Sequence, residues 1–165
     1  QKASAAKKFK TYVMFADDKW KVTANMNTAK GEYDSPKTIK AKKGTQNVSM
    51  TLTKSKLKTG AKEKTSTASV FCVDIENAMK TYKPNQIKIS KVKIFVDGKA
   101  IKVKANKLKQ GYLEKDQKNN KFRLEIFNVY GKGGTGAKKA NYPVDPNKLK
   151  FKKSLKVSFK LTFKK

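Results

Sequence analysis

Apolar and polar residues alternate along much of this chain with a period of two, the spacing of a strand with one buried face. Residues 155–163, LKVSFKLTF, carry the pattern without a fault. Leu155, Val157, Phe159, Leu161 and Phe163 fall on one face, and Lys156, Ser158, Lys160 and Thr162 on the other. Residues 47–53, NVSMTLT, repeat it with Val48, Met50 and Leu52 inward. Residues 68–75, ASVFCVDI, are apolar on both faces and predict a central strand. Residues 86–103 predict a hairpin about Asp97-Gly98, a favoured two-residue turn. That register pairs Val96 with Lys99, Ile94 with Ile101 and Val92 with Val103. Ile87 and Ile89 sit on the opposite parity, so a bulge is expected near Ser90-Lys91.

The other elements are weaker. Residues 11–16 (TYVMFA) and 19–24 (KWKVTA) predict two strands joined by a turn at Asp17-Asp18, and an edge strand is expected around residues 38–41. Residues 76–82 predict one short helix that ends before Pro84, because the residue before a proline avoids the helical region. Residues 121–130, KFRLEIFNVY, form a strand with Phe122, Leu124 and Ile126 on one face and Arg123 and Glu125 on the other. Residues 25–44, 54–67, 106–120 (with Tyr112 and Glu114) and 131–150 read as loops. Residues 1–10 read as a tail or linker, and residues 11–165 as a single domain. About eight or nine strands, no βαβ pattern and no long repeat give an all-β fold, an antiparallel jelly-roll-like β-sandwich with at most one short helix.

Composition changes this picture in one respect. The formal charge is +29, and of the 41 basic residues only Arg123 is an arginine. Such a charge suggests nucleic acid. However, arginine, the preferred reader of bases, is almost absent, and the lysines recur along the chain at outward strand positions. Nucleic acid is therefore not favoured as a partner. A lone arginine among lysines marks a task for a planar, two-pronged donor. Two readings stay open for it: a buried pair with a carboxylate, or a contact with ligand.

Chemistry is sparsely supplied. There is no histidine, so His-based catalysis and His metal sites are excluded. The single cysteine, Cys72, has no partner for an internal disulfide and reads as a small buried hydrophobe. The twelve acidic residues mark no glycosidase pair. Residues 131–139, GKGGTGAKK, lack the spacing and following helix of a phosphate-binding loop. Asp17, Asp18, Asp74 and Asp97 offer oxygen donors for a structural calcium, but their spacing matches no calcium loop, and the positive field opposes one. No metal or cofactor is expected, and no apolar run is long enough to span a membrane. Aromatics are the better lead. Tyr33, Tyr112, Tyr130 and Tyr142 fall in loops or at strand ends, where a ring face can stack on a sugar, while Trp20 shares parity with Val22 and reads as either core or surface.

Five segments occur in order: YVMFADDKW, VFCVDI, KVKIFVDGKAIKV, GYLEKDQKNNKFRLEIFNVYG and SLKVSFKLTF. Together they resemble non-catalytic carbohydrate-binding β-sandwich modules of secreted polysaccharide-degrading proteins from fibre-degrading anaerobic gut bacteria. The resemblance implies an extracellular or cell-surface module, part of a larger secreted enzyme and performing no chemistry itself. It implies a plant cell-wall polysaccharide as partner, with xylan or an acidic glycan such as glucuronoxylan or pectin favoured, and the lysines weigh toward the glycans that carry carboxylates. The expected ligand-binding residues are Trp20, Tyr112, Arg123, Asn128 and Tyr130, in a monomer. A cationic surface or adhesive domain holding anionic wall polymers is the alternative.

Overall fold

The computed structural model describes residues 7–113, 119–131 and 133–164. Glu114 and residues 1–6 of the expected tail lie outside them. Two antiparallel sheets form a β-sandwich. The first contains β1 (Lys8–Asp17), β2 (Thr23–Ala24), β3 (Lys37–Lys40), β5 (Ala68–Ile75), β8 (Lys109–Gly111) and β9 (Phe122–Asn128), in the order β2-β1-β5-β9-β8 with β3 also pairing β1. The second runs β4-β10-β6-β7, from β4 (Gly44–Thr53), β10 (Ser154–Phe163), β6 (Ile87–Val96) and β7 (Lys99–Ile101). The chain crosses between sheets at β3–β4, β4–β5, β5–β6, β7–β8 and β9–β10, as a jelly-roll-like sandwich requires. The one α-helix among the described residues, α1 (Ala78–Thr81), is a single turn.

Alternation builds the core. The inward residues of β10, from Leu155 to Phe163, meet those of β1, β5 and β9 in one apolar cluster. Tyr82 stacks on Phe163 with ring centroids 4.5 Å apart, and Phe9 meets the same ring edge-on at 5.6 Å. The central strand β5 is buried along its whole length, as its two apolar faces predict. Its second face is covered because the outer side of the first sheet is not bare. The segment around Asn25, Thr28 and Tyr33 folds over β1, with Tyr33 edge-on to Tyr12 at 5.4 Å. Cys72 is buried in a separate small cluster with Ala16, Val70 and Met14.

The hairpin forms as expected for its first two pairs, Val96 with Lys99 and Ile94 with Ile101. The ladder stops at Ile101, so Val92 and Val103 are not paired within it. Asp97 and Gly98 both have positive φ, 51° and 84°, as the turn demands. The β10–β6 register shifts beside Ser90, and Lys91 takes φ 56°, which places the bulge where parity asked for it. Three elements differ from expectation. Lys8–Lys10 belong to β1 and not to a tail. The strand expected over residues 19–24 shrinks to Thr23–Ala24. A short strand, β8, forms inside the expected loop of residues 106–120.

Candidate functional site

β1 and β9 both run antiparallel to β5, so their C-terminal ends lie at one rim of the first sheet. Trp20 follows β1 there, and Tyr130 follows β9. The indole Nε1 of Trp20 donates to the Tyr130 hydroxyl at 2.9 Å, across 110 residues of sequence. The rings lie 6.1 Å apart, tilted by 50°. Trp20 is 44% exposed, Tyr130 50% and the neighbouring Val129 39%. The hydrogen bond satisfies the indole N–H and leaves the Tyr130 proton free to donate outward. The rim therefore offers two angled aromatic faces with a hydroxyl between them.

Backbone chemistry holds this pair in place. Trp20 has φ 53°, a conformation rare for a bulky side chain and costing about 1–3 kcal/mol. The buried Asp17 carboxylate compensates. Its Oδ1 accepts from the Lys21 and Val22 amides at 3.0 and 3.3 Å, and its Oδ2 from the Ser66 amide at 3.1 Å. The left-handed residue also breaks strand parity. Val22 is fully buried while Trp20 turns outward, which resolves its two readings in favour of the surface.

On the other side, Asn128 Oδ1 accepts from the Tyr130 amide at 3.0 Å, and its Nδ2 donates to Glu125 Oε1 at 3.2 Å. The glycine-rich segment after Tyr130 folds back beneath it. The Gly136 amide donates to the Asn128 carbonyl at 2.9 Å. A Cβ on Gly134 would lie 2.8 Å from the carbonyl oxygens of both Asn128 and Tyr130, so only glycine permits this approach. The glycines that failed as a phosphate loop thus seat the tyrosine.

Trp20, Asn128 and Tyr130 are brought together, and the other two expected residues are not. Arg123 lies within the sheet, 6% exposed. Its Nε and Nη2 donate to Asp74 Oδ1 and Oδ2 at 2.6 and 2.9 Å. This two-pronged pair is the buried alternative raised for it, and it places Arg123 away from the rim. Lys121 Nζ stands 3.6 Å from the same carboxylate. Tyr112 follows β8 at the opposite end of β9, where its hydroxyl donates to Asn120 Oδ1 at 3.4 Å. A second polar group lies on the outer face of β1. Tyr12 and Tyr33 both donate to Glu76 Oε2, at 3.0 and 2.8 Å. Burial, with the Glu76 hydrogen bond, pushes the Tyr33 hydroxyl up to about 12. Burial and the nearby Asp74 charge push Tyr12 higher still.

Sequence reasoning missed Val129, the Asp17 brace and the glycine seat. Only the glycines left a signal, their spacing after a strand end. Each aspartate considered for calcium has protein donors. Asp17 and Asp74 are described above, Asp18 accepts from the Ser66 hydroxyl, and Asp97 takes backbone amides of residues 152–154. No three His, Cys, Asp or Glu side chains among the described residues come together as a metal site. No helix among them is long and apolar enough to cross a membrane. The chain matches no protein-family model, no curated protein and no solved structure.

Proposed function

We infer that this is a non-catalytic carbohydrate-binding module that attaches a secreted enzyme to plant cell-wall polysaccharide. The observation that carries the reading is the Trp20–Tyr130 pair, two exposed aromatics locked edge to edge by a hydrogen bond on a strained but braced turn. Backbone strain held at an exposed tryptophan supports a role in contact, since such strain clusters at binding sites. Sugar rings stack by their C–H faces on the indole and phenol. The Tyr130 hydroxyl and the exposed Lys19 and Lys21 nearby donate to sugar hydroxyls or carboxylates. Xylan or an acidic glycan such as glucuronoxylan or pectin suits this mixture of rings and ammonium groups.

The test is retention on a panel of xylan, glucuronoxylan, homogalacturonan, cellulose, starch and mannan at low salt and at about 0.5 M salt, which shortens screening to a few ångströms. Binding to one backbone that survives salt is expected. Trp20→Ala or Tyr130→Ala should weaken it by about 1–2 kcal/mol, roughly tenfold, without unfolding. If both variants bind as well as wild type, the rim is not the site.

One observation favours a second reading, a cationic domain adhering to anionic wall polymers. None of β4, β6, β7 and β10 contains an acidic residue, while Lys88, Lys93, Lys156 and Lys160 stand exposed on them. Retention only on acidic glycans, lost at moderate salt and indifferent to the rim variants, would favour it.

A further inference from the structure

Behind the glycine-rich segment lies a pocket of about 530 Å³, between the residues that lead into β8 and the loop beyond Tyr130. Lys107, Lys109 and Lys138 line it, and no acidic residue does. Lys107 Nζ donates to Asn141 Oδ1 at 3.3 Å at one edge. Lys109 Nζ would sit 3.6 Å from a Cβ on Gly133. Thr135 also lines the pocket. It is 1% exposed, and its hydroxyl has no hydrogen-bond partner among the described residues. A buried polar group left unpaired is costly and rare, so this hydroxyl points to a partner from outside the chain. The Glu125 carboxylate behind Thr135 is already engaged, with Oε1 accepting from Asn128 and Oε2 from the Thr135 amide at 2.9 Å. Its single charge reduces the field of three lysines but does not reverse it.

We propose that this pocket binds the carboxylate of a uronic acid residue. Three ammonium groups suit an oxyanion, since charge-assisted hydrogen bonds are the strong ones, and the Thr135 hydroxyl buried in the wall joins them only when the wall shifts toward the ligand. The pocket exceeds what a bare carboxylate needs and falls in the range of about 300–1,000 Å³ typical of small-ligand sites. Leu108 and Ala137 supply apolar surface for the carbon face of a sugar ring. Gly134 lies against the Asn128 and Tyr130 carbonyls and also lines the pocket, so the aromatic rim and the pocket share one loop. The sugar half of the assignment rests on the carbohydrate-binding reading, whereas the anion half stands on the pocket alone.

The experiment titrates the full chain with sodium glucuronate, glucose and sodium acetate at low salt, following backbone amide shifts. Glucuronate is expected to move Gly133, Gly134 and Thr135 saturably, glucose not to move them, and acetate to bind severalfold more weakly. Lys109→Gln with Lys138→Gln should weaken glucuronate by about tenfold, as loss of two partly screened charge contacts implies. Thr135→Val should weaken it as well while keeping or raising Tm, because it removes an unpaired buried hydroxyl. A merely structural threonine would not separate those two readouts. Absence of glucuronate shifts at these amides overturns the proposal. Equal affinity for acetate overturns its sugar half. Loss of the shifts in Trp20→Ala would move the uronate to the rim and also overturn it. Failure of the pocket leaves rim binding to neutral glycans intact, so it is distinguishable from failure of the carbohydrate-binding reading.

Discussion

Arg123 does what none of the lysines can. Its planar fork meets both oxygens of a carboxylate that is wholly buried on β5, with Lys121 close by as a second positive charge. Replacing it by lysine keeps the charge and removes the fork. Arg123→Lys should cost about 1–3 kcal/mol of stability, the range for a lost hydrogen bond to a buried charge. Glycan binding by the folded protein should not change. Chemical denaturation together with glycan retention measures both. A variant that stays as stable as wild type but loses its glycan would return Arg123 to the ligand. Trp20 makes the complementary case. Its ring is held at the surface because its backbone is fixed: both Asp17 carboxylate oxygens hold the turn.

The β6–β7 turn is more than a reversal of the chain. The Asp97 carboxylate reaches the start of β10 and accepts from the amides of Lys152, Lys153 and Ser154, the shortest at 2.7 Å. Burial works to raise its pKa, but these amides outweigh burial and hold it below the usual carboxylate range. A group with a depressed folded pKa contributes stability above its unfolded pKa and loses it as pH falls through the folded value. Asp97→Asn preserves the turn, so it should destabilise by about 1 kcal/mol near neutrality, a figure discounted for exposure. The gap should close below about pH 4, as the wild-type carboxyl becomes protonated. Thermal unfolding of both proteins across that range reads it, and a gap that persists at pH 2 would mean that charge is not the cause. The turn itself was legible from the Asp-Gly pair, and β5 and β10 from their patterns, because each is a local consequence of burial. The docking of Asp97 was not legible, since its partners lie 55 to 57 residues away. Nor was the Arg123 partner, 49 residues off. The strand expected at residues 19–24 failed for a backbone reason, as parity assumes extended residues and Trp20 is not one. β8 escaped because Lys109, Gln110 and Gly111 carry no apolar alternation. At the site, the sequence offered Trp20, Asn128 and Tyr130 separately, and only the parallel course of β1 and β9 joins them.

A charge of +29 on 165 residues is a property of the whole molecule, and it acts on folding as well as on binding. The second sheet shows how it is arranged. Its outer rows set Lys156 beside Thr51 and Phe95, and Lys160 beside Asn47 and Ser90, so lysine rarely faces lysine directly. Spacing of this kind limits repulsion without removing it. Two unit charges 10 Å apart in water still repel by about 0.4 kcal/mol, and a folded chain holds many such pairs closer together than an unfolded one. Salt should therefore stabilise the fold, with Tm rising by several degrees between low salt and about 0.5 M, given ~2–4 °C per kcal/mol at this size. Calorimetry across that range checks the sign. An acidic polysaccharide bound to the same surface should produce the same stabilisation at low salt, since it neutralises the lysines as salt does, and should add little at high salt. A neutral glycan on the aromatic rim should raise Tm by mass action alone, nearly independently of salt. A Tm that is flat or falls with added salt would mean that the spacing of the lysines already suffices, and the charge would then give no ground for expecting acidic ligands.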